Sequence, residues 1–338
     1  MKYLRLILLP FSFIYFIIIT LRIVLYRVNI FKSHRIPVFV ISVGNTTTGG
    51  SGKTPLCIFL ADLLLSLGKK VCIISRGYKR NSRGFVVAFD GLNAEAVENT
   101  GDELMMIINR FKDYKGRFFV LADSNRVRAA EYAVTNLKPD IIILDDAYQH
   151  LSIKRDLDIL IRDFEITDFT DKILFPAGNL REPLFYAGRT DILIDNYKFS
   201  ESFPGSGNNS NTIKAQYISN GIFDINNEPV REINGKNAVI FSGLAKNHSF
   251  FQYIKNITDL NIQNEISYPD HHNYSSFDIE KIISHYGENT IYITTEKDYV
   301  KLRKYTDFMN NFQVYYLKID LITDKSRIIN TLNSISII

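Results

Sequence analysis

With 338 residues, 46% of them hydrophobic, the chain can bury the core of one large α/β domain or two medium ones, which excludes a disordered chain. Its 40 basic and 36 acidic residues leave a net charge of +4, too balanced to indicate a nucleic-acid partner. The two cysteines, Cys57 and Cys72, lie in apolar segments and not at ligand spacing, so reduced core thiols are expected and a structural zinc site is excluded.

The N-terminus is the compositional outlier. Leu6 to Leu21 carries no charge, and past Arg22 the apolar character resumes through Ile23 to Tyr26. At about 1.5 Å per residue the uncharged run covers roughly 24 Å, short of a hydrocarbon layer of about 30 Å unless Arg22 snorkels. No small-residue cleavage site follows, which favours a retained anchor over a removable signal peptide. Lys2 and Arg5 precede the run, while Arg22, Arg27, Lys32 and Arg35 follow it, so the downstream side is expected in the cytoplasm with a basic cluster facing anionic head groups. Pro10 and Arg22 suit a spanning helix and one lying obliquely in a single leaflet alike. Residues 1–35 are therefore read as a membrane anchor helix and basic hinge.

Pro37 to Val43 reads as a buried strand, followed by a glycine-rich loop and a helix from Pro55 to Leu67 that stops at Gly68 beside Lys69 and Lys70. The rhythm repeats: strand Val71–Ser75, helix from about Asp102 to Phe111, strand Phe118–Ala122, helix from about Asn125 to Leu137, strand Ile141–Leu144, and apolar runs at Leu157–Ile161 and Ile192–Ile194. Alternating strands and helices imply a mainly parallel sheet covered on both faces over residues 36–205. From Ser200 to Gly235 the composition shifts to Gly, Asn and Ser, so residues 206–235 are read as a linker in which Thr212–Ile218 and Gly221–Ile225 pair as a short hairpin. Ala238 to Gly243 opens a second α/β unit over 236–338, with strands at Ile291–Thr295 and Val314–Ile319.

The strongest chemical signal is Gly44-Asn-Thr-Thr-Thr-Gly-Gly-Ser-Gly-Lys-Thr-Pro, between an apolar strand and a helix. Such a loop closes backbone N–H groups around phosphate oxygens at a helix N-terminus. Thr48, Gly49, Gly50, Ser51, Gly52, Lys53, Thr54 and Pro55 are the expected nucleotide contacts, with Lys53 reaching the β and γ phosphates and Thr54 able to ligate magnesium. Thr47 stands where the simple consensus has glycine. Ile141-Ile-Ile-Leu-Asp-Asp delivers carboxylates to a strand's C-terminal edge, so Asp145 or Asp146 would hold Mg2+, directly or through water. Gly101-Asp102-Glu103 opens an apolar helix, where an acid serves as a cap and dipole partner or, facing a γ-phosphate, as a base for an attacking hydroxyl. Arg76 and Arg181 sit in loops after apolar segments and are candidates to neutralise phosphoryl charge. Asp270-His271-His272 and Thr294-Thr-Glu-Lys-Asp belong to the second unit and by themselves read as turn or surface features. The fold class is thus α/β: a P-loop NTPase-like parallel sheet domain with an N-terminal membrane helix and a second, smaller α/β domain.

These segments, in this order, resemble the tetraacyldisaccharide 4'-kinase family of lipid A biosynthesis. The marks are the apolar helix before the strand, the glycine loop, Ser75-Arg-Gly-Tyr-Lys-Arg, Gly101-Asp-Glu, Asp145-Asp-Ala-Tyr-Gln-His, Leu180-Arg-Glu-Pro-Leu, Asp270-His-His and Thr294-Thr-Glu-Lys-Asp. The resemblance implies transfer of the ATP γ-phosphate to the 4'-hydroxyl of an acylated glucosamine disaccharide 1-phosphate, with magnesium, at the cytoplasmic face of a bacterial inner membrane. It implies Asp102 as base, His271 as its helper from the second lobe, Lys53, Thr54, Asp145, Asp146 and Glu182 serving ATP and Mg2+, and Arg181 near the phosphates. The family's usual Asp-Asp-Gly-Phe-Gln-His appears here with Ala147 and Tyr148, which leaves the turn open because alanine lacks glycine's freedom; its Gly-Asp-Glu-Pro appears with Leu104. The rival reading is a membrane-tethered P-loop NTPase that drives a conformational switch or transport without a phosphorylated product.

Overall fold

The computed structural model describes residues 3–78, 80–164, 169–199, 212–244, 246–284 and 289–335. They form two compact units, the first running to Tyr217 and resuming at Leu321, the second Ile218–Asp320.

A 3-10 turn, Tyr3–Leu8, leads into α1 (Leu9–Arg27), with Pro10 in the first turn where a missing N–H costs no hydrogen bond. Only Ser12 and Ile23 of this helix are buried. Of the described helices it alone is long and apolar enough to cross a membrane. The first unit then places β1 (Phe39–Gly44), α2 (Lys53–Ser66), β2 (Val71–Ser75), β3 (Val86–Phe89), α3 (Val97–Thr100), α4 (Asp102–Phe111), β4 (Phe118–Ala122), α5 (Arg126–Tyr132), β5 (Ile141–Asp145), β6 (Leu157–Asp163), β7 (Ile192–Asn196) and the start of β8 (Thr212–Phe223), up to Tyr217. The strands lie in the order β8-β7-β6-β1-β5-β2-β4-β3, and every neighbouring pair is parallel except the edge pair β3–β4.

The continuous apolar runs of the inner strands follow from having cover on both faces. Ile41, Val43, Ile73, Ile141 and Ile143 point into one cluster with Leu56, Leu60 and Leu64 of α2 and Ile107 and Phe111 of α4. Val40, Cys72, Ile74, Ile142 and Leu144 point the other way, onto Val127, Ala129 and Ala130 of α5. Cys57 and Cys72 are free and buried, as expected of core thiols.

The second unit contains β9 (Asn237–Ser242), α6 (Asn247–Ile257), β10 (Asn261–Ser267), α7 (Ser276–Ile283), β11 (Ile291–Thr295), α8 (Glu296–Leu302), α9 (Thr306–Asn311) and most of β12 (Gln313–Thr323). Its strands run in parallel in the order β10-β9-β11-β12. After β12, α10 (Lys325–Ser334) returns to the first unit, where Ile328 and Leu332 join the core beside α2.

Two boundary expectations are corrected. The hairpin expected from Thr212–Ile218 and Gly221–Ile225 is replaced by one strand, β8, which continues through Gly221 in the left-handed region (φ +109°) to Phe223. Residues 206–211 of the expected linker lie outside the described residues. The second unit spans Ile218–Asp320 and not 236–338, because the apolar face of α10 is buried in the first core.

Candidate active site

The glycine loop leaves the end of β1 between β5 and β6. A Cβ on Gly44 would meet Tyr148 Cβ at 2.5 Å, so the absence of a side chain lets the 145–148 turn close against the strand. From there the loop is stitched to a second segment. Arg181 N–H donates to Thr46 O (2.7 Å), Thr47 forms an antiparallel bridge with Leu180, and Thr48 N–H donates to Asn179 O (2.8 Å). Thr47, the departure from the simple consensus, is therefore a pairing position. Thr48, expected as a nucleotide contact, has its amide committed to Asn179 and frames the loop through it. Gly52 caps α2 at φ +101°, and a Cβ there would meet Asn196 Nδ2 at 2.4 Å. Asn196 in turn donates to Ser51 O (2.9 Å). Lys53 is the first residue of α2 and Thr54 the second, so both emerge at the helix N-terminus. The Ser51 hydroxyl and both side-chain polar atoms of Asn45 are buried without a hydrogen-bond partner among the described residues, a set of orphaned groups that a ligand in the loop would satisfy.

β5 ends beside this loop, with Val43 in register with Asp145. Asp145 is buried and accepts from Ser75 Oγ (3.0 Å), with Cys57 Sγ at 3.6 Å. Burial pushes its carboxyl up to about 6, with repulsion from Glu103 and Asp146 adding to the rise and Lys53 and Ser75 opposing it. Asp146 adopts a left-handed conformation (φ +48°). Its Oδ1 accepts from Arg181 Nη1 at 2.7 Å and lies 3.7 Å from Lys53 Nζ. Burial works to raise the Asp146 carboxyl, but Lys53 and Arg181 outweigh it and hold it below the usual range. The left-handed residue of this turn is thus Asp146 and not the next one, which resolves the question raised by Ala147: its φ is not positive, and its N–H donates to Val43 O (3.1 Å).

Asp102 opens α4 behind Gly101 (φ +89°); it is buried and accepts from Glu103 N–H at 3.0 Å. Glu103, beside Asp102 in the first turn of α4, lies near enough to Asp145 for its charge to help raise that carboxyl. Glu182 is buried, and both its oxygens accept from Arg189 Nη2 (3.0 Å each), with Gln149 Nε2 at 3.4 Å. The Arg189 guanidinium stacks 3.9 Å from the Tyr148 ring centroid and donates to Tyr148 O. As a metal ligand, Glu182 would have to share its carboxylate with that guanidinium.

His271 belongs to the second unit. It too is left-handed (φ +58°), its N–H donates to Gly243 O, and its Nε2 lies 3.1 Å from Lys297 Nζ. Lys297 pairs with Asp270 (3.5 Å), Lys301 with Asp298 (2.9 Å), and Asp298 accepts from Gly243 N–H and Thr295 Oγ1 (2.8 Å each). The two motifs that looked like surface turns form one cluster at the ends of β9 and β11.

Sequence reasoning missed Arg126, which is buried and donates to the carbonyls of Asp123 and Asp145, and Asn196, which holds the loop from β7. For Arg126 the signal was an arginine in the first turn of a helix, where dipole arguments disfavour a cation. Asn196 gave none, since its partner lies 145 residues away.

A glycine loop leading into a lysine-tipped helix, beside a strand ending in paired carboxylates on a parallel sheet, defines a P-loop phosphotransferase. The family model for tetraacyldisaccharide-1-P 4'-kinase matches residues 4–336. The chain belongs to this family, the ATP-dependent 4'-kinases of lipid A biosynthesis. It is 38% identical over 310 residues to the tetraacyldisaccharide 4'-kinase of Aquifex aeolicus, covering 91% of this chain and 93% of that one. It is 35% identical over 333 residues to the one from Flavobacterium johnsoniae, covering 94% and 93%. Its structure is similar to that of LpxK from Aquifex aeolicus in complex with ATP, with a TM-score of 0.79, 34% identity and 98% coverage of both chains.

Proposed function

We propose that this kinase transfers the γ-phosphate of magnesium-bound ATP to the 4'-hydroxyl of a tetraacylated glucosamine disaccharide 1-phosphate, at the cytoplasmic face of a bacterial inner membrane. The observation that carries the reading is the sharing of Asp146 Oδ1 between Lys53 and Arg181, which unites the glycine loop, the Asp-Asp strand end and the Leu-Arg-Glu-Pro segment in one charge cluster. Lys53 and Arg181 supply the positive charge that a transferring phosphoryl group requires, and the amides of Gly49, Gly50 and Gly52 take the remaining phosphate oxygens.

Asp145, Asp146 and the Thr54 hydroxyl are hard oxygen donors suited to magnesium. Among the described residues no three His, Cys, Asp or Glu side chains converge on a point. That suits an ion held by one or two carboxylates and otherwise by water and phosphate. When bound, magnesium neutralises charge on the phosphate oxygens. Asp102, fixed by the Glu103 amide, accepts the proton of the 4'-hydroxyl. His271, its Nε2 held by Lys297, is the proposed helper from the second unit.

The anchor reading is supported by α1. Ser12, Tyr15 and Arg22 all bond to backbone groups of the first unit, whereas Phe13, Ile14, Ile17, Ile18 and Leu21 are exposed. A helix docked along its length in this way offers its apolar face to one leaflet, as an in-plane anchor. The test is incubation of purified protein with γ-labelled ATP and the disaccharide lipid. Label at the 4' position is the expected result; ATP consumption that does not depend on the acceptor would overturn the reading.

A further inference from the structure

Four polar side chains of the apolar N-terminal segment, Arg5, Ser12, Tyr15 and Arg22, hydrogen-bond to the first unit. Ser12, Tyr15 and Arg22 are spaced three and seven apart, which puts them on one stripe of α1, and Arg5 precedes them in the 3-10 turn. Ser12 Oγ donates to Leu174 O (2.9 Å) and accepts from Ala177 N–H (3.0 Å). Tyr15 OH donates to Arg181 O (2.7 Å), with its ring edge-on to Phe175 at 5.9 Å. Arg5 donates to Pro176 O, Gly178 O and Asn179 Oδ1 (3.1, 2.9 and 3.1 Å). Arg22 donates to Gln149 O (3.0 Å).

Three of these grip the same segment, residues 174–181. That segment carries Arg181, and its backbone at Asn179, Leu180 and Arg181 pairs with Thr46, Thr47 and Thr48 of the glycine loop. A helix serving only as a tether gains nothing from polar groups, each of which disfavours lipid unless bonded. Here Arg5, Ser12 and Tyr15 donate to carbonyls of the segment that ends at Arg181. We propose that α1 is part of the catalytic scaffold and that Tyr15 and Ser12 are positioning residues: they hold the 174–181 segment so that Arg181 and the glycine loop keep their mutual register. Anchoring and catalytic geometry then reside on opposite faces of one helix. The proposal rests on Arg181 acting at the phosphates.

The two faces predict opposite kinetic signatures. Tyr15→Phe and Ser12→Ala should each lower kcat by roughly threefold to tenfold, the scale of one lost hydrogen bond, with the KM for the lipid and co-sedimentation with phosphatidylethanolamine–phosphatidylglycerol vesicles unchanged. Ile14→Ala with Ile18→Ala should weaken co-sedimentation and raise the lipid KM, leaving kcat at saturating lipid unchanged. In an Arg181→Ala background, Tyr15→Phe should cause little further loss of kcat, since it acts through that arginine. If Arg181→Ala itself leaves kcat intact, the assignment of Arg181 falls. If Arg181→Ala is impaired but Tyr15→Phe has no effect on kcat, or its effect multiplies in full with that of Arg181→Ala, α1 is an anchor only and the present inference is overturned. Thermal melts of Tyr15→Phe within a degree or two of the parent would exclude a loss by unfolding; a melt lowered in proportion to kcat would overturn the positioning role.

Discussion

Asp145→Asn separates what the fold prefers from what the chemistry requires. Asp145 is buried at the end of β5, and its carboxyl stands at about 6 against an ordinary value of 3.8. A difference of about two units corresponds to about 3 kcal/mol of folded-state stability lost when the group ionises. The sign follows from proton uptake: the folded state holds this proton more tightly than the unfolded chain, so the cost is full above about pH 6 and fades as pH falls toward 3.8. Asparagine keeps the shape and can still accept from Ser75 Oγ, but forgoes the attraction to Lys53. We therefore expect the variant, without nucleotide, to be more stable than the parent by about 2 kcal/mol at pH 7.5, a rise of roughly 4–8 °C in Tm. The gain should shrink toward zero near pH 4.5. Magnesium and ATP should raise the Tm of the parent but much less that of the variant, and turnover should fall by about 100-fold or more. Thermal melts at the two pH values with and without Mg-ATP measure all of this. A variant less stable than the parent at pH 7.5, or equally stabilised at both pH values, would refute the reasoning.

Other substitutions test neighbouring parts of the site. Lys53→Met should reduce kcat by about 100- to 1000-fold in a labelled-phosphate assay. Asp102→Asn keeps the side-chain shape and should lower kcat by about 100-fold or more; with calorimetric ATP affinity retained, near-normal turnover would remove it as the base. Arg189→Met leaves Glu182 buried without its charge partner and should cost about 3 kcal/mol by denaturant unfolding, with most of the loss recovered when Glu182→Gln is added. Gly178→Ala would place a Cβ 2.0 Å from Ile173 O and 2.5 Å from Thr170 O, both backbone atoms, so it should destabilise by at least about 2 kcal/mol and weaken ATP binding through the segment paired with the glycine loop.

The site was legible where chemistry and local structure coincide. A glycine loop needs an apolar strand before it and a helix after it, so Lys53 and Thr54 could be placed from sequence, and the apolar run ending in Asp145-Asp146 could be assigned a strand edge. The hairpin reading of Thr212–Ile218 and Gly221–Ile225 misled because a glycine between two short apolar runs serves a turn and a left-handed residue within a strand alike. The Asp-His-His and Thr-Thr-Glu-Lys-Asp segments looked inert because their contact, Lys297 to His271, bridges 26 positions through parallel strands.

Sequence alone determined the alternation of strands and helices, the phosphate loop and its carboxylates, and the apolar N-terminal helix, since each depends on residues within a turn or a strand of one another. Tertiary structure decided the rest: which acid bears the left-handed turn, which core receives α10, that the Thr48 amide pairs with Asn179, and that α1 holds the segment carrying Arg181. Those outcomes depend on contacts such as Tyr15 to Arg181, 166 positions apart, and no local pattern encodes which distant carbonyl a lone phenol on an apolar helix will find.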